Sequence, residues 1–188
     1  GPGFTGSCCS SGQPAPATQS LARTRDEWTD ILGQLRIETD HPDFDRLVND
    51  WLPYQVLTAR LWGRLGPNQR SGAFGFRDQL QDVLPLIWTW PELAREQILR
   101  HAAVQFPEGD VLKWWHPATD GGIGLGQRSR ASDPHLWLPY LVSHYVTATG
   151  DWDALETQVP YLEGRPIPKG WPDIAFVPRV SREQENLY

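Results

Sequence analysis

The segment Phe74–Asp82, with the sequence FGFRDQLQD, combines aromatic and charged residues that neither a core helix nor a surface helix requires. Asp78 and Asp82 are four positions apart, so a helix would present both carboxylates on one face, with Arg77 beside them. A helix N-terminus that favours carboxylates, with Arg77 in a surface ion pair, would account for these charges. The alternative is a polar cluster at a loop-to-helix junction, whose carboxylates accept hydrogen bonds from sugar hydroxyls.

The composition is that of one globular domain. The chain has 188 residues, of which 39% are hydrophobic, and this is enough for a core. Its net charge of −6 and the lack of a long basic run argue against nucleic acid and anionic membranes as partners. No apolar run approaches the ~20 residues of a membrane span. Residues 1–18 are small, polar and rich in Pro, Gly and Ser, and we expect them to form a flexible leader.

Cysteine and histidine usage bounds the chemistry. Cys8 and Cys9 are the only cysteines, which excludes a disulfide framework or a cysteine zinc site and favours a reducing, cytoplasmic location. The five histidines show no zinc-ligand spacing, so no metal is expected. There is no glycine-rich phosphate loop ending in Lys-Ser or Lys-Thr and no GxSxG motif.

Tryptophan is unusually frequent, with ten residues against no methionine. The flat apolar faces of tryptophan suit a hydrophobic core, and they also suit stacking against the C–H faces of sugar rings. Composition alone leaves both interpretations open.

Apolar spacing predicts that most of the chain is helical. Pro42 is expected to begin a helix, Pro53 to kink or break it, and Gly150 to close a later one. The Gly-rich stretch from about 107 to 133 and the segment 160–188 show no helical period, and we expect a long loop and an irregular tail. Helical hairpins packed side by side are the simplest architecture for such a pattern.

Two further polar clusters follow the first. Residues 108–117, EGDVLKWWHP, contain Trp114, Trp115 and His116 side by side. These three residues either form a plug that fills the core or belong to a binding site.

In residues 127–140, QRSRASDPHLWLPY, Arg128 and Arg130 could bind an anion or be solvated loop charges. Asp133 fits a helix N-cap in the same stretch.

These clusters, in this order, resemble the inverting glycoside-phosphorylase family that includes cellobiose and chitobiose phosphorylases. The resemblance covers about residues 20–188 and is strongest to the phosphorylase domain of cyclic β-1,2-glucan synthases and to 1,2-β-oligoglucan phosphorylases. It implies an all-α fold, with residues 19–188 forming the N-terminal part of a catalytic domain. That part would be an incomplete (α/α)6 barrel built from paired helices with a long Gly-rich loop.

The resemblance also implies a reaction. The family carries out reversible phosphorolysis of a β-glucoside to α-glucose 1-phosphate, with inversion and with inorganic phosphate as co-substrate, so no other cofactor is expected. Asp78 matches a residue that binds the non-reducing sugar in the −1 subsite, and we expect it to face the concave side of the helices near the Trp-Trp-His stretch. The other residues carried over to the sugar site are Arg77, Gln79, Asp82, Trp114, Trp115, His116, Arg130 and Asp133.

The sequence departs from the family pattern at two positions near these motifs. Gly72 stands where cellobiose phosphorylases have an arginine, which favours the β-1,2 branch. Ser132-Asp133-Pro134 stands where the family usually has Ser-Asp-Asp, after a loop that is longer than usual.

The family's general acid lies in a Gly-Asp-Trp-Asn-Asp motif. The similar string from Gly150 to Asp153 belongs to an earlier segment of the pattern, so the general acid is expected beyond Tyr188 and no catalytic residue is assigned here. We therefore expect a fragment that is inactive alone.

Two further expectations concern partners. The helix stripes carrying Trp51, Trp62 and Trp137 are expected to meet a second copy or a complementary chain. The alternative function is a non-catalytic carbohydrate-binding or protein-interaction module derived from the same domain.

Overall fold

The computed structural model describes residues 17–65 and 71–188. Most of the predicted leader, residues 1–16, lies outside these ranges, and Ala17 already begins the first helix. The described chain is a mixed structure, with helices in its first part and two antiparallel sheets assembled from its second part. The expectation of an all-α fold was therefore wrong.

In the part of the chain that the structure describes, six α-helices account for most of the helical structure: α1 Ala17–Leu32, α2 Pro42–Arg46, α3 Leu52–Gln55, α4 Phe76–Val83, α5 Pro91–Ala102 and α6 Trp137–Thr149. Short 3-10 segments cover Leu84–Ile87, Pro134–Leu136 and Trp152–Glu156. Within residues 17–65 and 71–188, none of these helices has the length and apolar character needed to cross a membrane.

The helices α2 and α3 belong to one uninterrupted helical segment, Pro42 to Trp62, that contains two π-helical stretches, Leu47–Trp51 and Val56–Trp62. Pro42 lies in the first turn, as predicted. The expected break at Pro53 is absent. A π-helical stretch ends just before Pro53, and the helix continues with a changed hydrogen-bonding pattern, so the missing N–H falls in the first turn of α3, where proline is tolerated.

The stretch expected to be a long loop contains a β-hairpin, formed by β2 Leu112–Pro117 and β3 Ile123–Ser129. Glycine was read as a loop signal, but at Gly126 it has a packing role. A Cβ atom at this position would lie 2.9 Å from Leu112 Cδ1, so only glycine allows the strands and side chains to approach this closely.

The expected irregular tail also forms strands. β5 Asp173–Phe176 joins the edge of a sheet with the order β1-β2-β3-β5, in which β1 is Phe74–Gly75. β4 Val159–Glu163 pairs with β6 Arg179–Glu185 in a two-stranded sheet. Every strand of a two-stranded sheet is an edge strand, which is where a proline such as Pro160 fits without breaking the pairing on both sides.

One hydrophobic core joins the helices to the larger sheet. It consists of side chains from α4, α5, α6 and β2, among them Phe76, Leu80, Ile98, Leu141, Leu112 and Trp115. All ten tryptophans lie in the described ranges, and Trp115 is the one that is buried. Most tryptophans are therefore not core residues. Gly150 ends α6 with a φ of 72°, the left-handed conformation expected of a closing glycine.

Candidate functional site

A cavity of about 430 Å³ opens where the start of α4, the strands β1 and β2 and the end of the Val56–Trp62 segment meet. Its described lining is Arg60, Arg64, Leu65, Ser71, Ala73, Phe74, Gly75, Arg77, Asp78, Gln79, Lys113, Trp114 and His116. Five of the nine residues predicted for the sugar site lie in this lining, which brings the first two sequence clusters together in space.

A second, more open groove of about 550 Å³ lies on the helical surface formed by the end of α1 and the Pro42–Trp62 segment. It is mainly apolar and includes Leu47, Trp51 and Tyr54. It contains no residue predicted for the sugar site, so the cavity at α4 is the better candidate.

The helical period of α4 places the residues of the first sequence cluster, Phe74–Asp82, on different sides of the helix. Phe76, Leu80 and Val83 are completely buried in the core. Arg77 and Asp78 lie on the opposite side, where they face the cavity at the first turn of the helix.

Asp78 is half-buried, and its carboxylate accepts no hydrogen bond from any described residue. It is the third residue of α4, so its side chain points back towards the helix N-terminus and lies over Gly75. A half-buried carboxylate without protein donors retains its full capacity to accept hydrogen bonds from a ligand.

Asp82 lies one turn further along α4 and is already paired. Arg60 Nε donates a hydrogen bond to Asp82 Oδ2 at 2.7 Å, and Arg60 Nη1 donates to the carbonyl oxygen of Leu65 at 2.5 Å. Burial raises the pKa of Asp82, and the charge of Arg60 opposes that rise. Asp82 does not line the cavity itself. Its partner Arg60 does.

Gln79 is buried beneath the cavity. Its Nε2 donates to the carbonyl oxygen of Arg60 at 3.2 Å, and its Oε1 has no hydrogen-bond partner in the described chain. Gln79 thus connects α4 to the same arginine that Asp82 holds.

Arg77 lines the cavity and also forms an ion pair across to Asp133, with Nη1 donating to Oδ2 at 2.7 Å. Both side chains are about half exposed, so this contact is a surface ion pair of the kind anticipated for Arg77. The hydrogen bond from Arg77 lowers the pKa of Asp133. Asp133 occupies the predicted N-cap position, before the Pro134–Leu136 segment, but its side chain makes no capping hydrogen bond.

The Trp-Trp-His stretch lies in strand β2, and the alternation of a strand gives its members different positions. Trp114 and His116 face the cavity and contact each other edge to face, with ring centroids 5.7 Å apart. Trp115 points the other way into the core, where its ring stacks on Phe74 at 5.2 Å. The two alternatives considered for this stretch, core plug and site, therefore apply to different residues within it.

Two residues that sequence reasoning missed support the cavity. His101 is buried between Phe76 and Trp115, and its Nδ1 donates to the carbonyl oxygen of Gln97 at 2.7 Å. Burial lowers the pKa of His101 to about 4, so the ring is neutral at pH 7. A lone histidine in an amphipathic helix gives no sequence signal for this position.

Arg64 was also missed. It has a φ of 49°, which is unusual for a residue other than glycine, and its Nε donates to the carbonyl oxygen of Gly72 at 2.7 Å. Its guanidinium carbon lies 4.9 Å from the centroid of the Phe74 ring. These contacts fix a cation in the cavity wall, 14 positions before Asp78 in sequence.

The arginines of the third cluster have structural partners. Arg128 is buried, and two of its nitrogens donate to the Asp110 carboxylate, each at 2.6 Å. Arg130 donates to the carbonyl oxygens of Trp171 at 3.2 Å and Ile167 at 2.9 Å. Neither arginine is among the described residues that line the cavity.

Asp151, in the string that resembles the family's catalytic motif, is also held by protein donors. Arg95 Nε donates to its Oδ2 at 3.1 Å, and the hydroxyl of Tyr145 donates to the same oxygen at 2.7 Å. The hydrogen bond from Tyr145 is the main cause that lowers the pKa of Asp151. These contacts join α5 and α6 to the turn that follows α6.

Comparison with known proteins identifies the family to which the chain belongs. Residues 27–166 match the family described as the Glycosyl hydrolase 94 superfamily, catalytic domain. The chain therefore belongs to the glycosyl hydrolase 94 superfamily, which confirms the resemblance seen in the motifs.

Individual relatives agree with this placement. The chain is 44% identical over 161 residues to a cyclic beta-(1,2)-glucan synthase, NdvB, of Rhizobium meliloti (strain 1021), a match that covers 86% of this chain and 6% of the relative. It is 31% identical over 150 residues to solabiose phosphorylase of Paenibacillus borealis, covering 80% and 18%. It is 24% identical over 169 residues to N,N'-diacetylchitobiose phosphorylase of Vibrio proteolyticus, covering 77% and 21%. The chain thus spans a small part of the length of these relatives.

Proposed function

We propose that this chain forms one wall of the sugar-binding site of a glycoside phosphorylase that acts on β-glucosides, specifically β-1,2-linked ones. The observation that carries the proposal is the state of Asp78. Of the carboxylates predicted for the site, Asp82 and Asp133 are bonded to arginines, whereas Asp78 lines the cavity and accepts no hydrogen bond from a described residue. The match to a protein named as a cyclic beta-(1,2)-glucan synthase supports the linkage.

In this proposal Asp78 accepts hydrogen bonds from two neighbouring hydroxyls of the non-reducing sugar. Ionised acceptors make stronger hydrogen bonds than neutral ones, at about 1.5–3 kcal/mol each. Trp114 offers an aromatic surface against which the C–H face of the sugar packs, and His116 contacts that ring in an edge-to-face arrangement. Arg77 and Gln79 shape the wall beside Asp78.

The remaining predicted residues act on this wall from outside the cavity. Asp82 holds Arg60 in place, Asp133 holds Arg77, and Trp115 supports β2 from the core side. Arg130 fixes the start of the segment before α6 to residues 167–171.

The proposed reaction is phosphorolysis with inversion. An oxygen of inorganic phosphate attacks the anomeric carbon, the bond from that carbon to the glycosidic oxygen breaks, and a carboxylic acid donates a proton to the departing oxygen. The products are α-glucose 1-phosphate and the shortened saccharide. No residue in this proposal acts as the acid or binds phosphate, so the role proposed for these 188 residues is to bind the sugar.

Titration of the ¹⁵N-labelled chain with the β-1,2-linked glucose disaccharide, followed by NMR, tests this proposal. We expect shift changes at Trp114, His116 and the first turn of α4, and we expect Asp78→Asn to weaken binding at least about tenfold, since it removes a charge-assisted acceptor. Asp153→Asn is the matched control, because Asp153 is exposed and is not among the residues that line the cavity. Saturating disaccharide with no shift change at these residues would overturn the proposal.

A second assay distinguishes the proposed phosphorylase from the alternative function, which is a module that binds carbohydrate or protein without catalysis. A longer polypeptide that contains this segment within a complete catalytic domain is expected to release glucose 1-phosphate from β-1,2-glucan and phosphate. Sugar binding by that polypeptide without any phosphorolysis would favour the module.

A further inference from the structure

The Asp78 side chain lies directly against a glycine, Gly75. A Cβ atom built on Gly75 would lie 2.6 Å from Asp78 Oδ2, and 3.3 Å from both Cβ and Cγ of Asp78. All three nearest atoms belong to this one side chain. The Asp78 carboxylate therefore occupies the space that any other residue at position 75 would fill with its side chain.

The backbone gives no other reason for a glycine here. Gly75 has a φ of −109° and a ψ of 124°, an extended conformation that every residue adopts readily. It pairs with Trp114 in the antiparallel ladder of β1 and β2, which holds its Cα atom at the cavity wall. The glycine at this position thus acts through space and not through conformational freedom.

Within residues 17–65 and 71–188, no hydrogen bond fixes the Asp78 carboxylate. No described residue donates a hydrogen bond to it, in contrast to Asp82, which Arg60 holds at 2.7 Å. The placement of Asp78 therefore depends on the direction of its side chain at the start of α4 and on packing against the bare Cα atom of Gly75.

We propose that Gly75 is a positioning residue for Asp78. Because it has no side chain, the carboxylate lies against β1, beside Trp114, in the direction needed to bond sugar hydroxyls. The identity of the ligand rests on the function proposed above, whereas the effect of Gly75 on the carboxylate does not.

The variant Gly75→Ala tests whether Gly75 positions the Asp78 carboxylate or is needed only for folding. The backbone accepts alanine, and the clash is with the free end of one side chain, which can rotate away, so the fold is expected to persist. The carboxylate must move, and the chain should lose affinity for the β-1,2-linked disaccharide by about tenfold or more, the loss expected for one charge-assisted hydrogen bond. In the background of Asp78→Asn, the same alanine should weaken binding far less.

Gly122→Ala is the matched control. A Cβ atom at Gly122 would lie 3.1 Å from Asp120 Oδ1, so this variant also places a methyl group against an aspartate, but in the turn between β2 and β3 and outside the cavity lining. We expect it to leave binding unchanged.

The ligand-free arm uses the ¹³C chemical shift of the Asp78 carboxyl carbon and a crystal structure of Gly75→Ala. A rotated Asp78 side chain in a folded variant supports the positioning role, even if the wild-type chain binds no sugar, in which case only the proposed function fails. An Asp78 carboxylate that keeps its shift and position in Gly75→Ala overturns the inference. So does a loss of binding of equal size in the Asp78→Asn background, since the effect would then not pass through Asp78.

Discussion

Arg60 and Asp82 join the end of the long helical segment to α4 through a hydrogen bond of 2.7 Å, at a place where both side chains are about four-fifths buried. The same arginine lines the cavity and bonds the carbonyl oxygen of Leu65. The pair therefore fixes one wall of the cavity relative to the helix that carries Asp78.

Asp82→Asn should lower the stability of the chain more than its affinity for sugar. The variant removes the charge that pairs with Arg60, and we expect a loss of about 1–3 kcal/mol in the free energy of unfolding. Urea unfolding monitored by tryptophan fluorescence measures this loss. Asp133→Asn is the comparison, because its ion pair with Arg77 is half exposed and should matter much less. Equal stability of wild type and Asp82→Asn would show that the pair is not a brace.

His101 predicts how stability depends on pH. Its pKa is lowered to about 4 by burial in the folded chain, against about 6.5 in the unfolded chain, so the unfolded state binds the proton more readily. The contribution of neutral, buried His101 to the free energy of unfolding is fully present above pH 6.5, and it is lost progressively as the pH falls towards 4. The expected total is of order 3 kcal/mol.

Urea unfolding at a series of pH values between 4 and 7 measures the contribution of His101. His101→Phe, which keeps an aromatic ring between Phe76 and Trp115, should flatten the dependence in this window. His41→Gln serves as the exposed control and should leave it intact. An unchanged pH dependence in His101→Phe would contradict the assignment.

The aromatic surface of the Pro42–Trp62 segment predicts self-association. Trp51 is 55% exposed and stacks on Tyr54 beside a mainly apolar groove. Exposed apolar surfaces of this kind usually find partners. Light scattering after size exclusion should give a mass that rises with concentration, and Trp51→Glu should reduce it. Trp152→Glu changes an exposed tryptophan elsewhere and should not. A wild-type mass that stays monomeric at every concentration would count against the expectation.

Catalysis by these 188 residues alone is expected to be absent. Without a general acid, a reaction of this type typically loses 10²–10⁴-fold in rate. The assay measures glucose 1-phosphate formed from β-1,2-glucan and phosphate. Turnover at a rate normal for an enzyme would mean that the acid lies within this sequence, and Asp151 would then be the first residue to test.

The helical part of the fold was predictable because its signals are local. Pro42 at a first turn and Gly150 at a helix end were both read correctly from backbone preference. The sheets were missed because their sequence lacks clear alternation of apolar residues. Gly126 sits in β3 for close packing and Pro160 in an edge strand, and both residues are read as loop signals when the partner strand is unknown.

In the candidate site, too, some residues were predicted from the sequence and others were missed. Asp78, Trp114 and His116 were predicted because their motifs resemble a known family, and the structure brings them to one cavity. Arg64 and His101 were missed because each acts through contacts with residues distant in sequence, such as Phe74 and Trp115. The opposite positions of Trp114 and Trp115 follow from the strand, which the sequence did not reveal.

The central claim is that the carboxylate of Asp78 binds the reacting sugar. The most direct test is the turnover number for phosphorolysis of β-1,2-glucan by a polypeptide that carries this segment within a complete catalytic domain. Asp78→Asn should reduce turnover at least about tenfold while the melting temperature stays close to that of the wild type, because no described residue donates a hydrogen bond to Asp78. Wild-type turnover in a folded Asp78→Asn variant would contradict the account.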